Sequence, residues 1–591
     1  MKTNFFASKS RNSILGLLLI LLVFLLYKYC CPFSDQGPIQ VKGPIKAPLG
    51  VSFIDVNGAN TNVQNVKVTL IDPGKKVVSS NAVPFQTVDV EGGVMSIGLA
   101  SDAVFSVDSP YLFYIRAEAD GYMTNIRPVV ITADVPEYLP IYMSALRNLP
   151  PSGLASLVGN ISTIQGGVLQ TNETLISQSP QNTMRPMTIR MEEGLRFLCN
   201  GKPVTTPGAL NYRLLFGMPR DSNANRVFPG GFEVLGAVDQ SGKQLANPRN
   251  PAFFTTGGWF SLEMNIGKEG INGFSKPVLV DMPIADSTIN PETQAMVKVG
   301  DTFPLWSLNN STGVWTQEDE TVVTENPEGG LKISFPITHL STFNADWFTG
   351  ACSTGTQRID VSYTFDAANS TGFGGNRFTR LVNTADGSEI RAKTINFDNT
   401  GNLEVIRTPA GFTTQLLVHQ GANSFFPIQG TSGSLSCPGT GSLALVGSAP
   451  ATCILLEFVT GAANAPVNNQ CYNSVWTKNS CADPMSMFLF EGIINGDGNL
   501  IMPNYPANRC VRLWFLDDSP GSDQIYLEFT INFGIATIPP GSPTSGTITT
   551  NAAGGPYSFT YWRENTAVGD CTTRIRINIP AGLVSGNACP P

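Results

Sequence analysis

The sequence predicts an all-β, multidomain chain of β-sandwich modules placed after an N-terminal hydrophobic helix. Three observations predict it. Of 591 residues only 14% are charged, while 58 are Gly and 42 are Pro. The charged share lies well under the roughly 25% of an average soluble protein, and a chain poor in Glu, Lys and Arg but rich in turn formers suits short strands joined by many loops. Apolar residues alternate with polar ones at Val66, Val68 and Leu70, and at Tyr111, Phe113, Ile115 and Ala117, the period-2 pattern of half-buried strands. Turn signals recur between such runs, at Asn57-Gly58, Pro73-Gly74 and Gly92-Gly93. The length allows about three to five domains.

Residues 1–33 read as a signal or anchor segment. Lys2, Lys9 and Arg11 precede the uncharged run Ile14–Tyr27, and a basic flank before an apolar run is an export signal. As a helix that run spans about 21 Å, short of a hydrocarbon core of about 30 Å. Extension to Phe33 takes in a single charge, Lys28, which can snorkel from a helix end. Three fates stay open: an uncleaved transmembrane anchor, a cleaved signal, and lipidation at Cys30, before which Lys28 and Tyr29 replace the small residues a lipidation site prefers. Each puts residues 34–591 outside the cytoplasm, in the cell envelope and membrane-attached where the segment is kept. Residues 34–47, with Gly37-Pro38 and Gly43-Pro44, read as a tether.

Residues 48–147 form the first β module. It carries Tyr111-Leu-Phe-Tyr-Ile-Arg-Ala-Glu-Ala-Asp-Gly-Tyr122 followed by Val129-Val-Ile131, with a degraded turn at Glu91-Gly92-Gly93. On these residues the stretch resembles the carboxypeptidase regulatory-like, or transthyretin-like, β-sandwich. The resemblance implies a non-catalytic module of the kind found at the base of surface proteins.

The linker Asn148-Leu-Pro-Pro-Ser152 opens a second segment, 148–350. It holds Met187-Thr-Ile-Arg-Met-Glu-Glu-Gly194, Asn200-Gly-Lys-Pro203, Phe228-Pro-Gly-Gly231, Gly300-Asp-Thr-Phe-Pro-Leu-Trp-Ser307, Thr312-Gly-Val-Trp315 and Thr338-His-Leu-Ser-Thr-Phe-Asn344. The succession resembles the ectodomain of bacterial surface proteins and of cartilage intermediate layer protein and its relatives. It implies an extracellular β-rich module and no reaction. Trp259, Trp306, Trp315 and Trp347 fall here, out of seven tryptophans. They read as an aromatic core, with a ligand-facing, sugar-stacking surface as the alternative.

The remainder contains a repeat. Ala385-Asp386 matches Ala482-Asp483, Gly401-Asn402-Leu403 matches Gly498-Asn499-Leu500, and Pro409-Ala410 matches Pro506-Ala507, all at an offset of 97 residues. A period near 100 suits tandem Ig-like sandwiches rather than a solenoid. The repeats are placed at 351–447 and 448–591, the second carrying a C-terminal extension. Eight of the 11 cysteines lie here: Cys352, Cys437, Cys453, Cys471, Cys481, Cys510, Cys571 and Cys589. An even number in an exported region reads as disulfides, in any of 105 pairings. Cys199 stands alone.

The chemistry is constrained by what is scarce. With two histidines, His339 and His419, a serine or cysteine hydrolase must use one of them as base. Both read as structural. Glu192-Glu193 are adjacent acids, which on a strand point to opposite faces and so do not converge on one sugar bond; they and Glu318-Asp319-Glu320 read as solvated loops or strand edges. No cofactor is expected. Calcium is the one ion considered, at Asp55-Val-Asn57 and Asp398-Asn399, but neither turn offers the six to eight oxygens it takes. A net charge of -8 with no basic cluster beyond the N-terminus argues against nucleic acid. The expectation is a non-enzymatic surface protein with a structural, adhesive or binding role toward an extracellular protein or glycan. A carbohydrate-binding component is the second reading and a carboxylate-based glycosidase the third.

Overall fold

The computed structural model describes residues 45–352 with short gaps at 58–61, 80–81, 219–220 and 294, and beyond 357 mainly the strands. All of these lie in the compact unit Pro44–Pro591. The N-terminal segment, Cys30, Asp398-Asn399, Cys437, Cys471, Cys571, Cys589 and the side chain of Cys453 lie outside the described residues. Among those that are described, no helix is long and apolar enough to cross a membrane.

The chain is all-β and multidomain. The first module has eight strands: β1 (Ile45–Asp55), β2 (Val66–Ile71), β3 (Val77–Ser79), β4 (Thr87–Val90), β5 (Val94–Ala100), β6 (Tyr111–Glu118), β7 (Asn125–Ile131) and β8 (Glu137–Met143). β1 begins inside the stretch read as tether. Two four-stranded sheets, ordered β3-β5-β1-β8 and β4-β2-β6-β7, close over a core that includes Val51, Phe53, Val68, Ile97, Phe113 and Ile141. β2 buries alternate residues as its sequence predicts. β1 and β5 instead are buried along almost their whole length. The reason is that the outer face of their sheet is also covered. Ile54 and Tyr142 enter a core shared with the second module, and Val94 and Tyr138 enter a cluster with Phe378, Trp476 and Cys510 of the two C-terminal modules.

The second module is built on one large sheet that curls on itself, with two small two-stranded sheets beside it. Its ten-strand path runs from Glu173–Ile176 to Leu154–Ile161, with long strands Ala252–Ile266, Gly273–Ile284 and Trp315–Glu325 in between. The two ends of the path meet at a bridge between Ser156 and Gln178, so strands from the whole path bury one interior.

The C-terminal modules repeat one plan. Arg358–Phe365 pairs antiparallel with Asn402–Ile406 and parallel with Gly441–Leu445. Cys453–Thr460 pairs antiparallel with Asn499–Pro503 and parallel with Thr573–Ile579. Asn402-Leu403 and Asn499-Leu500 of the matched triplets thus start equivalent strands. β1 does the same, antiparallel to β5 and parallel to β8. In each opposite sheet the second strand pairs with its hairpin partner and with a later strand. The duplication seen in sequence is therefore one pair within a set of three like-built sandwiches. The unmatched last residues supply Thr544–Thr550 and Tyr557–Glu564, which link the two sheets of the final module into one of ten strands.

Tandem sandwiches suggest a linear rod. The packing corrects that expectation: the first module touches all three others, because its outer sheet face is apolar and each neighbour covers part of it.

Candidate functional site

The four tryptophans are core residues. Trp259, Trp306, Trp315 and Trp347 are 0–4% exposed, which corrects the sugar-facing alternative, since no indole face is open to a glycan. Trp347 packs inside the curled sheet. The other three lie on its outer surface, beneath the first module and the helix Ser222–Val227. Phe228 stacks on Trp315 with centroids 5.7 Å apart, and Phe254 meets Trp306 and Trp315 at 5.3 and 5.1 Å. Tyr114 of β6 enters a slot between two glycines. A Cβ on Gly313 would lie 2.4 Å from the Tyr114 ring, and one on Gly236 would lie 2.9 Å from its hydroxyl. Burial raises that hydroxyl to about 12. Gly230, in a left-handed conformation at φ +79, lets Trp315 approach in the same way. Three of the sequence motifs, around Tyr111–Tyr122, Phe228–Gly231 and Thr312–Trp315, thus meet at one joint.

The remaining expected residues scatter. Ser307 donates to Glu318 at 2.5 Å, and His339 lies 3.6 Å from the same carboxylate, so the hydroxyl is engaged by the acid and not by the imidazole. His419 is buried edge-on to Phe378 at 5.3 Å. Asp55 accepts from Asn57 N–H and from the Tyr122 hydroxyl, both at 2.9 Å, the contacts of a capped turn. Glu192 faces Lys276 at 3.4 Å. Cys481 is disulfide-bonded to Cys510, Cys352 is disulfide-bonded, and Cys199 is free.

One buried acid stands apart. Asp346 is fully buried; loss of hydration drives its carboxyl well above the ordinary range, opposed by hydrogen bonds from Thr256, Asn344 and Gly257 N–H. Among the described residues no cation faces it, and its Oδ1 has no hydrogen-bond partner.

The constellation that sequence reasoning missed lies where three modules meet. A cavity of about 370 Å³ is walled by β7, β8, residues 230–235 of the second module and the strands Gly375–Asn383 and Glu389–Phe397. This is within the range of small-molecule sites. Leu49, Val129, Leu139, Leu235, Leu381 and Leu416 give it an apolar lining. Charged groups stand among them. Arg391 grips Glu233 through Nε at 2.7 Å and through Nη2, a two-point pairing of the strong kind. Lys393 lies 3.4 Å from Glu137; burial pushes that carboxyl up, and Lys393 only partly opposes it. Arg380 holds Glu389 at 2.6 Å. Arg127, on β7, has no carboxylate within ion-pair distance among the described residues. It donates through Nη2 to the carbonyl of Arg226, its Nε is buried without an acceptor, and burial lowers its pKa. The only sequence signal for these groups is a lone charge within an apolar strand, as in Asn125-Ile-Arg127-Pro-Val-Val-Ile131 and Glu137-Tyr-Leu-Pro-Ile-Tyr-Met143.

No family model matches the chain, and no curated protein matches it. Among solved structures it is similar to the major pilin subunit of Bacillus cereus, at 8% identity over 90% of this chain and 99% of that one, with a TM-score of 0.13. It is also similar to the full-length major pilin RrgB of Streptococcus pneumoniae, at 7% identity over 90% and 99%, with a TM-score of 0.13. Two B repeat units of the collagen-binding protein of Staphylococcus aureus match at 9% identity over 90% and 98%, with a TM-score of 0.12. Likenesses at this level decide nothing about this chain, and its fold class rests on its own strands.

Proposed function

We propose that this chain is a non-catalytic cell-surface protein, held to the envelope by its N-terminal segment, with a structural, adhesive or binding role. The observation that carries the reading is a sandwich plan built three times, with a disulfide, Cys481–Cys510, in its last copy. Disulfides persist where the compartment is oxidising, which agrees with the basic flank and apolar run that open the sequence. Stacked apolar faces between modules suit a scaffold that keeps its shape while exposed to solvent. We read the first module as carboxypeptidase regulatory-like. Its two four-stranded sheets support that assignment, and such modules bring no reaction. The test is labelling of intact cells with a membrane-impermeant amine reagent, followed by fractionation. The protein should be labelled before lysis and should pellet with the envelope; labelling only after lysis sinks the proposal. Purified residues 34–591 should then coat matrix or cells without turnover of what they bind.

A further inference from the structure

The cavity between the first, second and third modules has a charge pattern that selects a ligand. Arg391 is answered by Glu233, Lys393 by Glu137, and Glu389 by Arg380. Arg127 is left without a carboxylate at ion-pair distance among the described residues, and Glu389, which Arg380 holds, attracts it only from farther off. Of its five N–H donors, one goes to the Arg226 carbonyl and the Nε–H is buried without an acceptor. A guanidinium so placed pairs well with a carboxylate, which it can hold at two points. Gly231, at φ +69, comes so close to the Arg127 fork that a Cβ would lie 2.9 Å from Nη1, so the backbone on that side leaves the fork its position. The remaining wall is mainly apolar, with Leu and Val prominent, and such groups gain by covering apolar surface.

We propose that this cavity is a binding site for a small apolar monocarboxylate, its acid group on Arg127 and its hydrocarbon body against Val129, Leu139, Leu235 and Leu381. A free medium-chain acid and the C-terminus of an apolar peptide share this chemistry. The cavity of about 370 Å³ is of small-molecule size, and the free acid is the occupant proposed. A single carboxylate matches the one cation of the lining that has no carboxylate at ion-pair distance; a dianion would leave one charge unmet, and a neutral amphiphile would leave Arg127 as it is.

Isothermal titration of the full chain tests this with sodium decanoate, decanol and an N-acetylated tetraleucine with a free C-terminus. Decanoate should bind one per chain, about tenfold or more tighter than decanol. Arg127→Gln should bring decanoate down to the affinity of decanol. Ala133 is an exposed residue of the lining, so Ala133→Trp should obstruct the mouth and abolish binding while leaving the melting curve unchanged. That variant, with the decanoate and decanol comparison on the unaltered chain, decides the matter even where Arg127→Gln fails to fold. Equal binding of decanoate and decanol, binding of the peptide alone, or unaltered binding by Ala133→Trp would each overturn the assignment.

Discussion

Gly313→Ala should damage the joint between the first two modules in a way that a matched glycine does not. Gly313 has φ +71, and a Cβ there would meet the Tyr114 ring at 2.4 Å. Gly194 has φ +79, and a Cβ there would meet nothing within 4 Å. Both substitutions put an L-residue in the left-handed region, which costs about 1–2 kcal/mol. Only Gly313 adds a clash. Tyr114 cannot swing aside, because its ring is buried between the modules and its hydroxyl is close against Gly236. Overpacking of that kind costs about 1–3 kcal/mol more. Gly313→Ala should therefore lose about 2–5 kcal/mol and Gly194→Ala about 1–2 kcal/mol, read as urea midpoints at constant slope. A cycle with Tyr114→Ala isolates the clash, since Ala removes the ring atoms and the second loss should then shrink by about 1–3 kcal/mol. Equal losses at the two glycines, or simple additivity with Tyr114→Ala, would show that Tyr114 is not seated in this slot and would refute the joint.

Other perturbations read other parts of the structure. Asp346 has its folded pKa raised, so its contribution to stability is present below the unfolded value near 3.9 and is lost as pH rises toward the folded value; Asp346→Asn should gain on the unaltered chain between pH 4 and pH 8, and a melting difference that ignores pH counts against the buried acid. Glu233→Gln takes the carboxylate from Arg391 in a site where both side chains are less than one-fifth exposed; the loss should be about 2–3 kcal/mol, with a coupling to Arg391→Gln above about 1 kcal/mol in a double-mutant cycle, whereas additive losses would place the pair in solvent. Replacing Cys481 and Cys510 by Ser opens a bridge with a sequence separation of 29; the urea midpoint should fall by the equivalent of about 3–4 kcal/mol, and an unchanged midpoint would mean that the final sandwich does not depend on the bridge.

Much of the fold was legible because local rules govern it. The alternation at Val66, Val68 and Leu70 is the buried face of β2, and the offset Gly-Asn-Leu triplets mark equivalent strands. β1 and β5 do not alternate in burial, because their second face is covered by modules distant in sequence, and no period-2 rule holds for a strand buried on both sides. That the first module shares the plan of the two repeats could not be read either, since strand pairing is kept there without the matched residues. The cavity was hidden for a related reason. Arg391 and Glu233 are 158 residues apart and Lys393 and Glu137 are 256 apart, so each looks in sequence like an ordinary solvated charge.

The joints combine two kinds of contact with different roles. Apolar clusters such as Val94, Tyr138, Phe378 and Trp476 hold modules together without fixing an angle, because burial is roughly proportional to area and has no direction. Left to such contacts, modules in one chain are expected to move relative to each other. The two-point grip of Arg391 on Glu233, and the lysine set against Glu137, do have direction, and each joins a C-terminal strand to a different partner module. Removing either partner leaves a charge without its answer in a poorly hydrated place, so a sliding motion is penalised where simple separation of oil-like faces would not be. The cavity lies between these two pairs. Its walls are therefore set before a ligand arrives, and a ligand that meets preset walls loses less free energy to ordering them. On this argument Glu233→Gln should weaken decanol binding by loosening those walls; decanol is the probe, because Arg391 without its carboxylate would itself draw decanoate.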